Sequence, residues 1–126
     1  MTDLRWPALV AWAALAAASG CGGSATSTKK AESHLVAAAS AIEAGDKETA
    51  LVELSASIEK SPNTWAYFQR ARILAEQGKD AEAAADSQKG LELDPKYRDL
   101  LWLTAELKKP AAQRFKGRFA KPPGPR

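Results

Sequence analysis

The sequence predicts an all-α fold: two helix-turn-helix repeats closed by a C-terminal capping helix, arranged as a short α-solenoid. Two observations carry that expectation. Punctuating residues recur in phase, since Gly45 and Gly78, Ala50 and Ala83, Ile58 and Leu91, and Pro62 and Pro95 each lie 33 residues apart. An internal period of that length marks helix pairs stacked side by side. Hydrophobic content is 45%, and much of it is alanine. Alanine has the highest helix propensity, whereas Val, Ile and Thr are here too scattered to build strands.

The first element, residues 1–20, reads as a signal peptide. A short polar start containing Arg5 precedes an apolar run from Trp6 to Ala18. A bilayer span needs about 20 apolar residues, so the run suits a secretory signal rather than a membrane helix. It ends in Ala18-Ser19-Gly20-Cys21, and residues 21–30 then have the small polar composition of a flexible linker. The first repeat, 31–63, carries Leu35, Val36, Ala38, Ala41 and Ile42 on one helix. Gly45-Asp46 turns the chain, and Ala50, Leu51, Leu54 and Ile58 form the second helix before Ser61-Pro62. The second repeat, 64–96, follows the same plan. Trp65, Tyr67, Phe68, Ala71, Ile73 and Leu74 are followed by a stop at Gly78. A helix through Ala83 and Leu91 then runs to Asp94-Pro95, where Asp can cap and Pro can open the next helix. Residues 97–109 form the capping helix, with Leu100, Leu103 and Leu107 as the packing stripe. Leu101 and Trp102 point away from that stripe, either folded under the tail or offered to a partner. The tail, 110–126, holds four prolines and no acid, and reads as disordered.

Two resemblances emerge from these residues. Ser19-Gly20-Cys21 resembles the bacterial lipobox, although Ala18 stands where that signal favours Leu. The resemblance implies cleavage before Cys21, acylation of its thiol, and anchoring to a membrane. No Asp follows Cys21, which by the same resemblance implies an outer-membrane protein facing the periplasm. The alternative is an ordinary signal cleaved near Ala18, leaving Cys21 a free thiol, a liability in an oxidising compartment. The stretch from Trp65 to Pro95, with Ala71, Leu74, Gly78, Ala83 and Leu91-Glu92-Leu93-Asp94-Pro95, resembles a tetratricopeptide repeat, and residues 31–63 resemble a more divergent one. Arg70, Ser87 and Gly90 depart from the usual Leu, aromatic and Ala. Arg can lay its stem over apolar surface, and Gly preserves close helix approach.

Composition excludes several kinds of chemistry. One cysteine and one histidine preclude an internal disulfide and a Cys/His zinc cluster. A packed region of about 80 residues leaves little room for a deep active-site cavity. There is no Gly-rich phosphate loop and no Ser/His/Asp arrangement, so neither an enzyme nor a cofactor or metal is expected. His34 reads as a core or half-buried residue. Glu32, Glu43, Glu48, Glu53 and Glu59 read as a solvated face.

The tetratricopeptide resemblance implies a protein or peptide partner gripped by a concave groove, lined by the first helix of each pair. By phase, the groove residues are Glu32, Leu35, Val36, Ala39 and Ile42, then Trp65, Phe68, Gln69, Arg72 and Glu76; Trp102 is a further candidate on the capping helix. Trp65 and Phe68 have two readings: an aromatic hot spot beside Arg72, or the completion of a small core. Leu35 and Ala39 stand where the subset that grips a chaperone's carboxylate terminus uses Lys and Asn, so that ligand is not expected. Net charge is +3, concentrated after Glu106. The basic tail suits anionic lipid head groups or an acidic partner, or is simply solvated. Nucleic acid is not expected for an exported chain. Self-association through the apolar terminal helix is the second reading of function.

Overall fold

The computed structural model describes residues 23–124, with the backbone alone for residues 23 and 24. The segment expected as a signal peptide and the lipobox-like Ser19-Gly20-Cys21 lie outside the described residues. Within them the fold is all-helical: α1 (Gly23–Glu43), α2 (Lys47–Lys60), α3 (Thr64–Glu76), α4 (Asp80–Leu93) and α5 (Arg98–Leu107), followed by single 3₁₀ turns at Ala111–Gln113 and Gly117–Phe119.

Local chemistry sets the helix ends. Gly45 and Gly78 take positive φ values of 74° and 77°, a conformation open to Gly because it lacks a Cβ. Behind each, an amide reaches back five residues: Asp46 N–H donates to the Ala41 carbonyl and Lys79 N–H to the Leu74 carbonyl, both at 2.9 Å. This is the Schellman closure, and it recurs at the 33-residue interval. Asp46 then caps α2 by accepting from Thr49 N–H at 3.1 Å, and Asn63 caps α3 by accepting from Ala66 N–H at 3.1 Å.

The structure differs from the sequence expectation at three boundaries. The stretch expected as a flexible linker is helical from Gly23. Ser27 Oγ donates to the Lys60 carbonyl (2.9 Å) and Ser57 Oγ to the Ala31 carbonyl (3.1 Å), so α2 holds the early turns of α1 along its length. Pro95 does not open the last helix. Asp94 accepts from Lys96 N–H at 3.0 Å, a turn that delays α5 to Arg98. The tail, expected to be disordered, folds back on α5: Gly124 N–H donates to Asp99 at 2.8 Å.

Packing follows the alanines. α1 and α2 are antiparallel, as the Ser27–Lys60, Ala31–Ser57 and His34–Glu53 contacts show. Ala38, Ala41, Ala50, Leu54, Ala66 and Ile73 form one core cluster between the first pair and α3. Phe68, Ala71, Leu74, Ala75, Ala83, Leu100 and Leu103 form a second, among α3, α4 and α5. Arg70 lies along this second region. Its guanidinium forks onto Asp86, Nε to Oδ2 at 2.6 Å and Nη2 to Oδ1 at 2.7 Å, and Nη1 donates to Ser55 Oγ at 3.1 Å. The Asp86 bond comes first among the causes that raise the Arg70 pKa against the cost of burial.

Two outcomes are expected in urea unfolding. A Cβ at Gly90 would sit 2.4 Å from Leu100 Cδ1 and 3.2 Å from Tyr67 Cβ. Gly90→Ala gains about 1 kcal/mol of helix propensity but overpacks a three-helix junction at a cost of about 1–3 kcal/mol, a net loss on the order of 1 kcal/mol. Arg70→Leu keeps an apolar stem at that position yet leaves the Asp86 carboxylate buried and unpaired, costing about 3 kcal/mol or more. The Arg70→Leu/Asp86→Ala double variant recovers most of that loss.

Candidate functional site

The first helices of the two pairs meet in a crevice. Ile42 of α1 and Gln69, Arg72, Ile73 and Glu76 of α3 line it together with Gly45 and Lys47, enclosing about 190 Å³. Four of the residues expected to grip a partner (Ile42, Gln69, Arg72 and Glu76) therefore converge from two helices. The apolar floor is Ile73, which is buried, and half-buried Ile42. The rim is charged. Glu76 Oε2 lies 2.7 Å from Lys47 Nζ, and Glu76 Oε1 lies 3.6 Å from Arg72 Nε. Both cations keep substantial solvent exposure, so these pairs are weakly held and can be exchanged for a ligand's charges. Floor and rim together suit an extended segment that offers one apolar side chain and polar backbone.

The other expected residues are placed differently. Leu35 and Trp65 pack half-buried against the first core cluster, and Ala39 is half-buried on α1. Phe68 is a correction: it is 2% exposed and belongs to the second core. Its ring lies 6.1 Å from that of Tyr97, because the start of α5 folds over it. Of the two readings open for Phe68, completion of a small core is the one realised. Trp102 is not free on an outer face. It is half-buried, with its ring 5.5 Å from that of Phe115. Leu101 is the large apolar residue of α5 left exposed.

His34 is half-buried, as expected, with Nδ1 2.6 Å from Glu53 Oε2. Among the described residues no cluster of His, Cys, Asp and Glu is arranged to hold a metal, and none is long and apolar enough as a helix to cross a membrane. A wider recess of about 560 Å³ lies between α4 and α5, lined in part by Leu91, Thr104, Leu107 and Ser87, the small residue at the position where an aromatic was expected. It contains none of the residues expected to bind a partner.

What sequence reasoning missed is the docked tail. Arg114 is 9% exposed along its side chain and forks onto Asp80, Nη1 to Oδ1 at 2.8 Å and Nη2 to Oδ2 at 2.9 Å. It also donates to the Lys109 and Leu107 carbonyls at 2.8 and 3.0 Å, satisfying acceptors at the end of α5. Phe115 N–H donates to Glu106 Oε2 at 2.9 Å. Glu106 is 1% exposed and also holds Lys109. The available signal was Glu106 itself, a carboxylate between Leu103 and Leu107 on the packing side of a capping helix. A buried acid requires a partner, and every charged side chain beyond it in sequence, from Lys108 and Lys109 through the tail, is basic.

The electrostatics are consistent with this geometry. The Arg114 bond holds the Asp80 carboxyl below its ordinary range. Burial pushes Glu106 upward, but Lys109, the Phe115 amide and Arg114 outweigh it and leave the carboxyl lowered. No protein-family model, curated protein or solved structure matches the chain.

Both lowered carboxyls bind the tail in their charged form. Their contribution is complete above the ordinary carboxylate pKa of about 4 and is lost as pH falls below it. Acidification is therefore expected to release the tail. Between pH 6 and pH 2 the Phe115 amide resonance should move towards its random-coil position before far-ultraviolet circular dichroism reports loss of the helices.

Proposed function

We propose that the chain is a membrane-anchored protein-interaction module, an adaptor or assembly factor of the bacterial cell envelope, with no chemistry of its own. In this reading the helix pairs are tetratricopeptide-type repeats of a short solenoid. The chain is exported, acylated at Cys21 and held at the outer membrane facing the periplasm. Its partner presents an extended segment to the α1–α3 crevice.

The observation that carries the proposal is the convergence of Ile42, Gln69, Arg72 and Glu76 on one cleft. These residues come from equivalent faces of two helices, and the fold does not require their polar ends to meet. An apolar floor under exchangeable charges is the composition of a site that reads a peptide by one anchor side chain and its flanking charge. The second reading, self-association, has one favourable feature in Leu101, 48% exposed on the terminal helix. Phe115 covers Trp102 on that same helix, which narrows the apolar surface left for a second copy.

Position 69 is the place to interrogate the crevice. With Gln69 replaced by a photoreactive amino acid in cells, irradiation is expected to capture a discrete foreign protein, and Arg72→Glu to remove that adduct. Capture of another copy of this chain instead would support self-association. Capture of nothing would overturn the crevice as the working surface.

A further inference from the structure

The tail sits where the repeat period places a second crevice. Advancing the residues that line the α1–α3 crevice by 33 positions turns Ile42 into Ala75, Gly45 into Gly78, Lys47 into Asp80, Gln69 into Trp102, Ile73 into Glu106 and Glu76 into Lys109. The tail meets this equivalent set. Arg114 and Phe115 share a cavity with Ala75, Gly78 and Asp80. Arg114 bonds Asp80 and the Lys109 carbonyl, and Phe115 meets the Trp102 ring and the Glu106 carboxylate.

We propose that the α3–α5 crevice is a peptide-docking site that reads an Arg-aromatic pair, and that the tail is its resident, displaceable occupant. The ligand is a foreign segment carrying Arg followed by an aromatic residue, the chemistry that Arg114-Phe115 displays. Charge dictates the choice. Asp80 stands at the first turn of α4 and offers a two-oxygen face matched to guanidinium geometry. Glu106 offers a buried acceptor to the backbone amide of the aromatic residue. Trp102 supplies the surface on which the aromatic ring lies.

Two features make the resident occupant replaceable. Phe115 adopts φ 55°, a left-handed conformation uncommon and costly for a bulky side chain. Trp102 Nε1 is buried with no acceptor among the described residues, and an indole N–H left so is paid for in stability. A ligand with ordinary backbone at the aromatic and an acceptor for the indole lacks both penalties. The tail is otherwise largely exposed, held at Arg114, Phe115, the Gly124 amide and Phe119, whose ring lies 4.6 Å from Lys109 Nζ. It also contains a second Arg-aromatic pair, Arg118-Phe119, with Phe119 42% exposed. This site borders the α1–α3 crevice through Glu76, which lines both, and differs from it in charge, since there Lys47 takes the place of Asp80 and repels the same guanidinium.

The test uses a fluorescein-labelled peptide of residues 110–117, which carries the Arg114-Phe115 pair alone, as probe, titrated by anisotropy against the full chain and against its Arg114→Ser/Phe115→Ala variant. The variant is expected to bind the probe at least tenfold more tightly than the parent, because its own tail no longer competes. Adding Asp80→Lys should remove that binding. A folded variant that binds no better than the parent overturns the proposal, as does equal binding of a probe with Ser and Ala in place of Arg114 and Phe115. Hydrogen exchange on the unaltered chain provides a measurement that does not depend on the variant folding. The Phe115 amide should be protected at least 100-fold less than that of Leu103, showing that the tail opens while the bundle stays closed. Equal protection would make the tail an integral part of the fold and overturn its role as a displaceable occupant.

Discussion

Gly90 lies where three helices meet, and the space it leaves open allows α3, α4 and α5 to close on one another. Leu100 and Tyr67 occupy the volume that any side chain there would take. The same logic runs through the molecule, because Ala38, Ala50, Ala66, Ala71 and Ala83 are fully buried beside Leu54, Leu100, Leu103 and Ser57. Small side chains bury little apolar surface individually. They stabilise by letting neighbouring helices approach closely, so that many weak dispersion contacts form at short range. Close approach in turn fixes the crevices. Ile42 of α1 and the polar ends of α3 share one cleft where Ala41, Ala66 and Ile73 pack the helices together.

A core built this way leaves little spare stability, and the charged groups within it are correspondingly consequential. Asp86 and Glu106 are both buried, and each is held by a cation: Arg70 for one, Lys109 for the other, with Arg114 nearby. Burying a carboxylate is unfavourable unless it is paired and hydrogen-bonded. These pairs therefore work less as a source of net stability than as selectors of arrangement. They determine which face of α4 meets α3 and where the tail must lie on α5. Arg70 is half-buried on α3, and the structure accommodates it by placing Asp86 opposite.

Two crevices related by one repeat length carry different charges. The α1–α3 crevice has a mixed rim of Lys47, Arg72 and Glu76. The α3–α5 crevice presents Asp80 and Glu106 and is filled by a basic, aromatic segment of the same chain. One scaffold geometry thus offers two surfaces whose preferences are set by a handful of substitutions between equivalent positions.

The 33-residue period, the glycine stops, the caps and the alanine spacing were sufficient in the sequence for helix order and turn positions. Those depend on φ freedom, capping groups and periodic burial, which act within a few residues. Four of the expected site residues, Ile42, Gln69, Arg72 and Glu76, were legible for the same reason, since helical phase dictates the face they occupy. Phe68 was not, because whether its ring turns inward depends on Tyr97, 29 positions away, folding over it. The helical start of α1 depended on α2, which supplies the Lys60 carbonyl that Ser27 reaches. The tail was least legible. Its prolines, basic residues and lack of acids describe a chain that cannot build a core alone, and composition carries no record of Asp80 and Glu106 waiting at the end of the bundle. Local sequence settled what each helix is; only long-range pairing of buried charge and ring decided where the last segment lies.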